Sequence, residues 1–149
     1  MAAIDKQFYT LKGYQQQAEL ELTSSMEDYL EMICRLESES RVVRINALAQ
    51  KLNVKPSSAS KMVQNLKESG YITFHKYGYI ETTPKGQQMG FYLLRRHKVL
   101  HEFLCILNHS EQELEQVEKI EHFMNRQTVE NLEKLTQKLR EEERKADTT

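Results

Sequence analysis

The chain has little with which to cross-link itself or to enter a membrane. Only two cysteines, Cys34 and Cys105, occur in 149 residues. They form neither a CxxC pair nor the spacing of a disulfide framework, so reduced thiols and a cytoplasmic setting are expected. No apolar run approaches the roughly 18 residues of a membrane span, and no membrane partner is expected. The first 17 residues lack a basic start followed by an apolar stretch, the pattern of a secretory signal. No internal repeat stands out, and the only biased stretch is the charged run over residues 140–147. There is no Gly-rich phosphate loop. His97-Lys98-Val99-Leu100-His101 lacks the glutamate of an HExxH zinc-protease helix. With no nucleophile or evident substrate pocket beside its titratable groups, the chain is not expected to be an enzyme.

What the chain does have is charge, unevenly placed. The net charge is −1. Between Arg41 and Arg96 there are ten Lys/Arg against two Asp/Glu, and the remainder holds eleven against twenty. A basic middle between acidic flanks implies a polyanion-binding unit beside a unit of another kind.

The periodicities give a mainly α chain with a small β-wing. Residues 1–22 are polar and weakly periodic, and read as an N-terminal arm. Ser24-Ser25-Met26-Glu27 fits a capping box, and Met26, Tyr29, Leu30, Ile33 and Leu36 recur at helical spacing, predicting a helix over about 25–37. Val42-Val43-Arg44-Ile45 is β-prone. Asn46 is placed to cap a short helix with Ala47, Leu48 and Leu52 on its buried side. Pro56 suits the first turn of the next helix, where its missing N–H costs nothing. Ala59, Met62, Val63 and Leu66 form that helix's apolar stripe, and Gly70 ends it. Residues 71–82, rich in aromatic and β-branched residues with Gly78 inside, predict a two-stranded hairpin. Thr83-Pro84 starts a helix reaching about residue 107. Two further helices are expected over about 111–124, behind a capping box at Ser110, and 128–142.

Helix, short helix, turn, helix, hairpin is the layout of a winged helix-turn-helix, whose second turn-motif helix enters the major groove of DNA. The side chains expected to face DNA from that helix are Pro56, Ser57, Ser58, Ser60, Lys61, Gln64 and Lys67. Small hydroxyls allow close backbone approach, Lys61 and Lys67 neutralise phosphates, and Gln64 is placed to read a base edge. The wing offers His75, Lys76 and Tyr77, and Arg44 and Lys55 add phosphate contacts. The opposing reading makes the serines plain caps and the charges a solvated face.

A second constellation is acidic. Asp28 and Glu31 are three apart on the first helix. Glu118, Glu121 and His122 stand at i, i+3, i+4 later in the chain, and His97 lies on the long helix between them. Four carboxylates and two imidazoles suit hard or borderline divalent metals, and converging carboxylates repel unless a cation or protons intervene. The plainer alternatives make Asp28 a helix-dipole partner, Glu118 and Glu121 a solvated stripe, and His97 a core-edge histidine. His101 is not expected to be a ligand. Phe123, Cys34 and Cys105 are expected to be packing residues.

Several stretches carry a resemblance: Ser25-Met26-Glu27-Asp28-Tyr29-Leu30-Glu31, Pro56-Ser57-Ser58-Ala59-Ser60-Lys61-Met62-Val63-Gln64, Thr83-Pro84-Lys85-Gly86, Arg96-His97 and Val117-Glu118-Lys119-Ile120-Glu121-His122. In this order, over residues 24–139, the chain resembles the manganese transport regulator branch of the diphtheria toxin repressor family. The resemblance implies two adjacent metal ions per subunit: Asp28 and His122 on one, Glu31 and His97 on the other, with Glu118 and Glu121 bridging or serving both. The iron-responsive branch has methionine and cysteine at the positions of Asp28 and Glu118, so the oxygen ligands here favour Mn2+, with Fe2+ as the alternative. An arm of about 22 residues before the first helix departs from the family pattern, and the extra C-terminal domain of the iron regulators is not expected.

The expected protein is a repressor of metal-uptake genes, binding palindromic operator DNA as a homodimer when metal is bound. Its rivals are an iron-responsive repressor, a winged-helix regulator of another ligand, and a metalloenzyme. The expected division is an arm over 1–22, a winged helix-turn-helix DNA-binding domain over 23–90, a C-terminal helical metal-binding and dimerisation domain over 91–142, and a tail over 143–149. The apolar surplus of Leu104, Ile106, Leu107, Leu114, Val117 and Ile120 argues for pairing of two copies.

Overall fold

The computed structural model describes Thr10 and residues 22–39 and 42–148. The expected arm therefore lies outside the described residues, apart from Thr10 and Leu22; Leu22 is buried in the first core. Among the described residues the order is α1 (Ser24–Ser38), β1 (Val43–Arg44), α2 (Ile45–Leu52), α3 (Pro56–Glu68), β2 (Ile72–Phe74), β3 (Tyr79–Thr82), α4 (Pro84–Asn108), α5 (Leu114–Ile120), a 3₁₀ turn (Glu121–Phe123) and α6 (Arg126–Asp147).

Helix α1 buries Met26, Tyr29, Leu30, Ile33 and Leu36, as their spacing requires. Its cap differs from the expected box. Thr23 is the N-cap, its hydroxyl accepting the Met26 N–H at 3.2 Å, a contact worth about 1 kcal/mol. Glu27 does not reach back to the cap; it points across to α4. Helix α2 starts two residues earlier than an Asn46 cap would place it. Arg44 is its N-cap without a side-chain bond, and Asn46 caps nothing. Ala49 rather than Ala47 faces the core beside Leu48, because Ile45, Leu48, Ala49 and Leu52 fall on one helical face. Helix α3 has Pro56 at its first turn and ends before Gly70, whose φ of 82° is left-handed.

The wing is a three-stranded antiparallel sheet in the order β1-β3-β2, because the β-prone stretch at Val43 joins the hairpin. Val43 pairs with Ile80, and Phe74 pairs with Ile80 from the other side. Glu37 of α1 anchors the wing's base, its carboxylate accepting from the Thr82 N–H at 2.8 Å and hydroxyl at 2.7 Å. Thr83 caps α4 by accepting the Gly86 N–H, and its own hydroxyl donates to the Gly70 carbonyl at 2.6 Å.

Two apolar cores result. The first joins α1, α2, α3, the wing and Leu93 of α4. The second gathers Leu100, Leu104 and Val117, with Phe103, Ile120, Met124 and Leu132 against them. Much of the apolar surplus read as a dimer surface is thus spent within the chain. Leu107 and Leu114 remain exposed, and so does Phe123, expected in the core but 53% exposed because the 3₁₀ turn rotates it outward. The expected helix over 111–124 is shorter. Ser110 donates to the Glu113 carboxylate at 2.8 Å, but helical backbone starts only at Leu114 and tightens to 3₁₀ at Glu121. Helix α6 is longer than expected, capped by Asn125 and continuing to Asp147.

Helix α4 has 25 residues, about 37 Å at about 1.5 Å per residue, and runs through both cores. It meets its neighbours closely at two glycines. A methyl group on Gly86 would overlap the Tyr71 carbonyl, and one on Gly90 would overlap the Cys34 sulfur of α1. Burial pushes the Cys34 thiol up to about 12, so it acts as a packing group. Gly90→Ala is expected to destabilise the fold by about 1–3 kcal/mol. Part of that loss should return in a Cys34→Ala background, read as a favourable coupling in a thermal-unfolding double-mutant cycle. Additive losses would contradict this crossing.

Candidate metal centre and nucleic-acid interface

The polar layer between the two cores holds the second constellation. Asp28 and Glu31 project from one face of α1, His97 lies on α4 between Leu93 and Leu100, and the 3₁₀ turn carries Glu121 and His122. They converge as two triads, Asp28–Glu121–His122 and Glu31–His97–Glu121, each with ligand atoms mutually within 4.8 Å. Glu121 belongs to both.

In the first triad His122 Nε2 is 3.0 Å from Asp28 Oδ1 and 3.8 Å from Glu121 Oε1. In the second, His97 Nδ1 is 3.1 Å from Glu121 Oε2 and 3.7 Å from Glu31 Oε1. Glu118 is in neither triad. Its side chain is 55% exposed, with Oε1 3.6 Å from His97 Nδ1. Glu118 lies on α5 and Glu121 on the 3₁₀ turn, so they share no regular helical face, yet both meet His97. His101 stays out of both triads; its Nε2 accepts the Glu113 backbone N–H at 3.3 Å.

The electrostatics are those of crowded anions. Burial, then the neighbouring Glu121, raise the Glu31 carboxyl above its ordinary range, and the same two causes raise that of Glu118. The hydrogen bond to Glu121 raises the His97 imidazole. Hydrogen bonds to Asp28 and then Glu27 hold the His122 imidazole up at about 10, against the opposing effect of burial. Glu121 is fully buried, and its Oε1 has no hydrogen-bond partner among the described residues. A buried carboxylate oxygen without a partner is costly unless something binds it. Oxygen and imidazole donors around such an atom fit a divalent cation.

Sequence reasoning missed Glu27 and Arg96 as parts of this site. Arg96, 2% exposed, meets Glu27 through Nη1 at 3.3 Å and Nη2 at 3.4 Å, and Glu27 Oε1 is 2.9 Å from His122 Nδ1. The signal available was an arginine on the buried side of a helix, beside a histidine already singled out. Removing one member of such a buried pair costs roughly 3–5 kcal/mol.

On α3, whose Ala59, Val63 and Leu66 enter the first core, Pro56, Ser57, Ser58, Ser60, Lys61, Gln64 and Lys67 are all exposed, as is Lys55 before it. The Gln64 amide donates to Glu68 at 3.2 Å. At the wing, Lys76 is exposed and Tyr77 is 80% exposed. His75 is engaged within the wing, 2.7 Å from Glu81 and stacked on Tyr79. Arg44 donates to the Tyr77 carbonyl at 2.7 Å, bracing the wing tip.

A helix-turn-helix with a wing, joined through its first helix to a carboxylate–imidazole centre, defines a metal-responsive DNA-binding regulator. Two family models match the chain: "Iron dependent repressor, N-terminal DNA binding domain" over residues 21–80, and "Iron dependent repressor, metal binding and dimerisation domain" over residues 83–147. The chain belongs to this family of metal-dependent transcriptional repressors, the diphtheria toxin repressor family it was seen to resemble. The HTH-type transcriptional regulator MntR of Geobacillus kaustophilus (strain HTA426) is 39% identical over 124 residues, covering 83% of this chain and 88% of the relative. MntR of Bacillus pumilus (strain SAFR-032) is 39% identical over 116 residues, covering 77% and 81%. Among solved structures, the manganese regulator SloR aligns with a TM-score of 0.66 at 29% identity, and the metal-dependent transcriptional regulator MtsR with 0.68 at 26%. Each alignment covers 76% of this chain and 54% of the other, so the chain spans about half the length of these solved chains. No described helix is long and apolar enough to cross a membrane.

The His122 shift gives a pH prediction for chelator-treated protein. Its folded value near 10 lies above the ordinary 6.5. The imidazolium's contribution is therefore full below about pH 6.5 and lost as the pH rises to about 10. The unfolding temperature of the wild type should fall more across that window than that of His122→Gln. Equal falls would contradict the assignment.

Proposed function

We propose that the chain is a manganese-responsive repressor of metal-uptake genes, acting in the cytoplasm as a homodimer on palindromic operator DNA, and that it has no catalytic activity. The observation that carries this reading is the pair of triads sharing Glu121, because they join α1 of the DNA-reading unit to α4 and the 3₁₀ turn. In this reading residues 23–90 read DNA and residues 91–142 bind metal and pair with a second copy. The exposed Leu107, Leu114 and Phe123 support that pairing.

Asp28, His122 and Glu121 would hold one ion, and Glu31, His97 and Glu121 a second, with Glu118 adding a carboxylate beside His97. A divalent cation supplies the positive charge that removes the repulsion among these carboxylates. The side chains do the rest: Asp28 and Glu31 draw α1 toward α4, and His97 fixes the second triad to the middle of α4. Glu121 ties the two triads together. The restraint favours one placement of α3 in each subunit, and metal and DNA then bind with mutual reinforcement. Neither Cys34 nor Cys105 is in a triad, and the all-oxygen-and-imidazole donor set supports Mn2+ over softer ions.

Operator affinity, measured by fluorescence anisotropy, should rise between about 5- and 150-fold when Mn2+ is added to chelated protein. Glu118→Gln/Glu121→Gln should abolish that response. Equal affinity with and without Mn2+ would refute the reading, and a larger response to Fe2+ under anaerobic conditions would replace manganese by iron.

At the DNA interface, Lys61→Ala should weaken binding to all sequences alike and lower the salt dependence by about one released ion. Gln64→Ala should cost about 1–3 kcal/mol at one base position of the operator and relax the preference there. Unchanged salt dependence for the first, or unchanged preference for the second, would remove that residue from the interface.

A further inference from the structure

We propose that Glu27 and Arg96 are positioning residues for the metal centre, fixing the His122 ring so that Nε2 alone is presented to the ion; the inference rests on the metal-site reading above. The two neighbouring carboxylates of α1 address opposite edges of one imidazole: Asp28 Oδ1 lies 3.0 Å from Nε2 and Glu27 Oε1 2.9 Å from Nδ1. Nε2 is also the nitrogen nearer Glu121, so the ion-facing edge of the ring is the Asp28 edge. A histidine ligand keeps one ring nitrogen for the metal, and the partner of the other decides which. With Glu27 accepting from Nδ1–H, the proton a cation would displace is the one Nε2 shares with Asp28, so the lone pair it would meet is that of Nε2.

Glu27 needs its own restraint, because a free carboxylate one residue from Asp28 could itself swing toward the cation. Arg96 supplies it. Its guanidinium grips both oxygens of Glu27, at 3.3 and 3.4 Å, and is buried against the site. Arg96 Nη2 also lies 3.5 Å from His122 Nδ1. The shorter Glu27 contact decides the proton: with Nδ1–H donating to Glu27, the arginine holds the carboxylate and not the ring. Helix α4 thus serves both triads from adjacent residues, His97 as a ligand of one and Arg96 as the brace behind the other. The Glu27–Arg96 bridge could instead merely hold α1 against α4, a role that would be indifferent to the ring's tautomer.

The test uses the full chain, Glu27→Gln, and the double variant Glu27→Met/Arg96→Met, which replaces the ion pair by apolar side chains of similar size and keeps the helix contact. Mn2+ binding is followed by electron paramagnetic resonance of the free ion. Imidazole 15N shifts of Cd2+-loaded protein report which nitrogen of His122 is bound. The wild type should show Nε2 bound and Nδ1 protonated. Both variants should lose about 10–100-fold in affinity at one class of site and show mixed ring signals for His122, while the class containing His97 keeps its affinity. Wild-type affinity in a folded double variant, or Nδ1 ligation in the wild type, would overturn the positioning role. Absence of metal binding in the wild type would instead overturn the metal site itself.

Discussion

Helices α1 and α4 cross where Gly90 lies against Cys34, with no room for another carbon atom, and the rest of the molecule follows from that crossing. Because α1 and α4 touch there, the carboxylates one and two turns toward the start of α1 come level with Arg96 and His97, two turns further along α4. A bulkier residue at the crossing would separate Glu27 from Arg96 and Glu31 from His97 together. Cys34 packs against the first core, and the second core begins further along α4 at Leu100. Helix α4 runs unbroken through both, so a displacement of α1 is also a displacement of α3 and the wing, which share its core.

The candidate metal centre occupies the layer in which the buried charged groups of the described residues lie. Glu31, Arg96 and Glu121 are buried there between Leu93 and Leu100 of the same helix. Such a layer would be unfavourable in an ordinary core, since each buried charge needs a partner. The histidines and Arg96 meet part of that need, and Glu121 Oε1 is left over. Burial first and Glu121 second raise the proton affinity of Glu31 and Glu118, while hydrogen bonds to carboxylates raise that of His97 and His122. A metal ion held there would compete with protons for the same groups.

The sequence disclosed whatever repeats at short range. The apolar stripes of α1 and α3, the Thr83 cap, the exposed face of α3 and the i, i+3 pair Asp28/Glu31 all follow from helical periodicity. What it concealed was set by partners far along the chain. Glu27 fits a capping box by local pattern, but its contacts are Arg96 and His122, 69 and 95 residues away. Likewise α2 starts two residues early because β1 hands the chain to it at Arg44, and Ile45, Leu48, Ala49 and Leu52 then form one face on the core, leaving Ala47 outside. The apolar residues of α4 and α5 looked like surplus because spacing alone does not reveal that Leu104 and Val117 meet each other. That the six acidic and histidine positions belong together came from resemblance; their spacing permitted convergence without requiring it.

The element carrying Glu121 and His122 is a seven-residue helix without a side-chain cap, running into a 3₁₀ turn. A segment so short has almost no helical stability of its own, and its shape is maintained by Val117 in the second core and by the groups that reach it from α1 and α4. If the proposed site holds an ion, the ordering of this turn is part of the free energy of loading. The apparent affinity for the ion is the intrinsic affinity scaled by the fraction of molecules in which the turn is already formed. On that reading, substitutions on the outer face of α5, touching no ligand, would reset the ion concentration at which the protein responds, giving the fold a tunable threshold separate from the chemistry of its site.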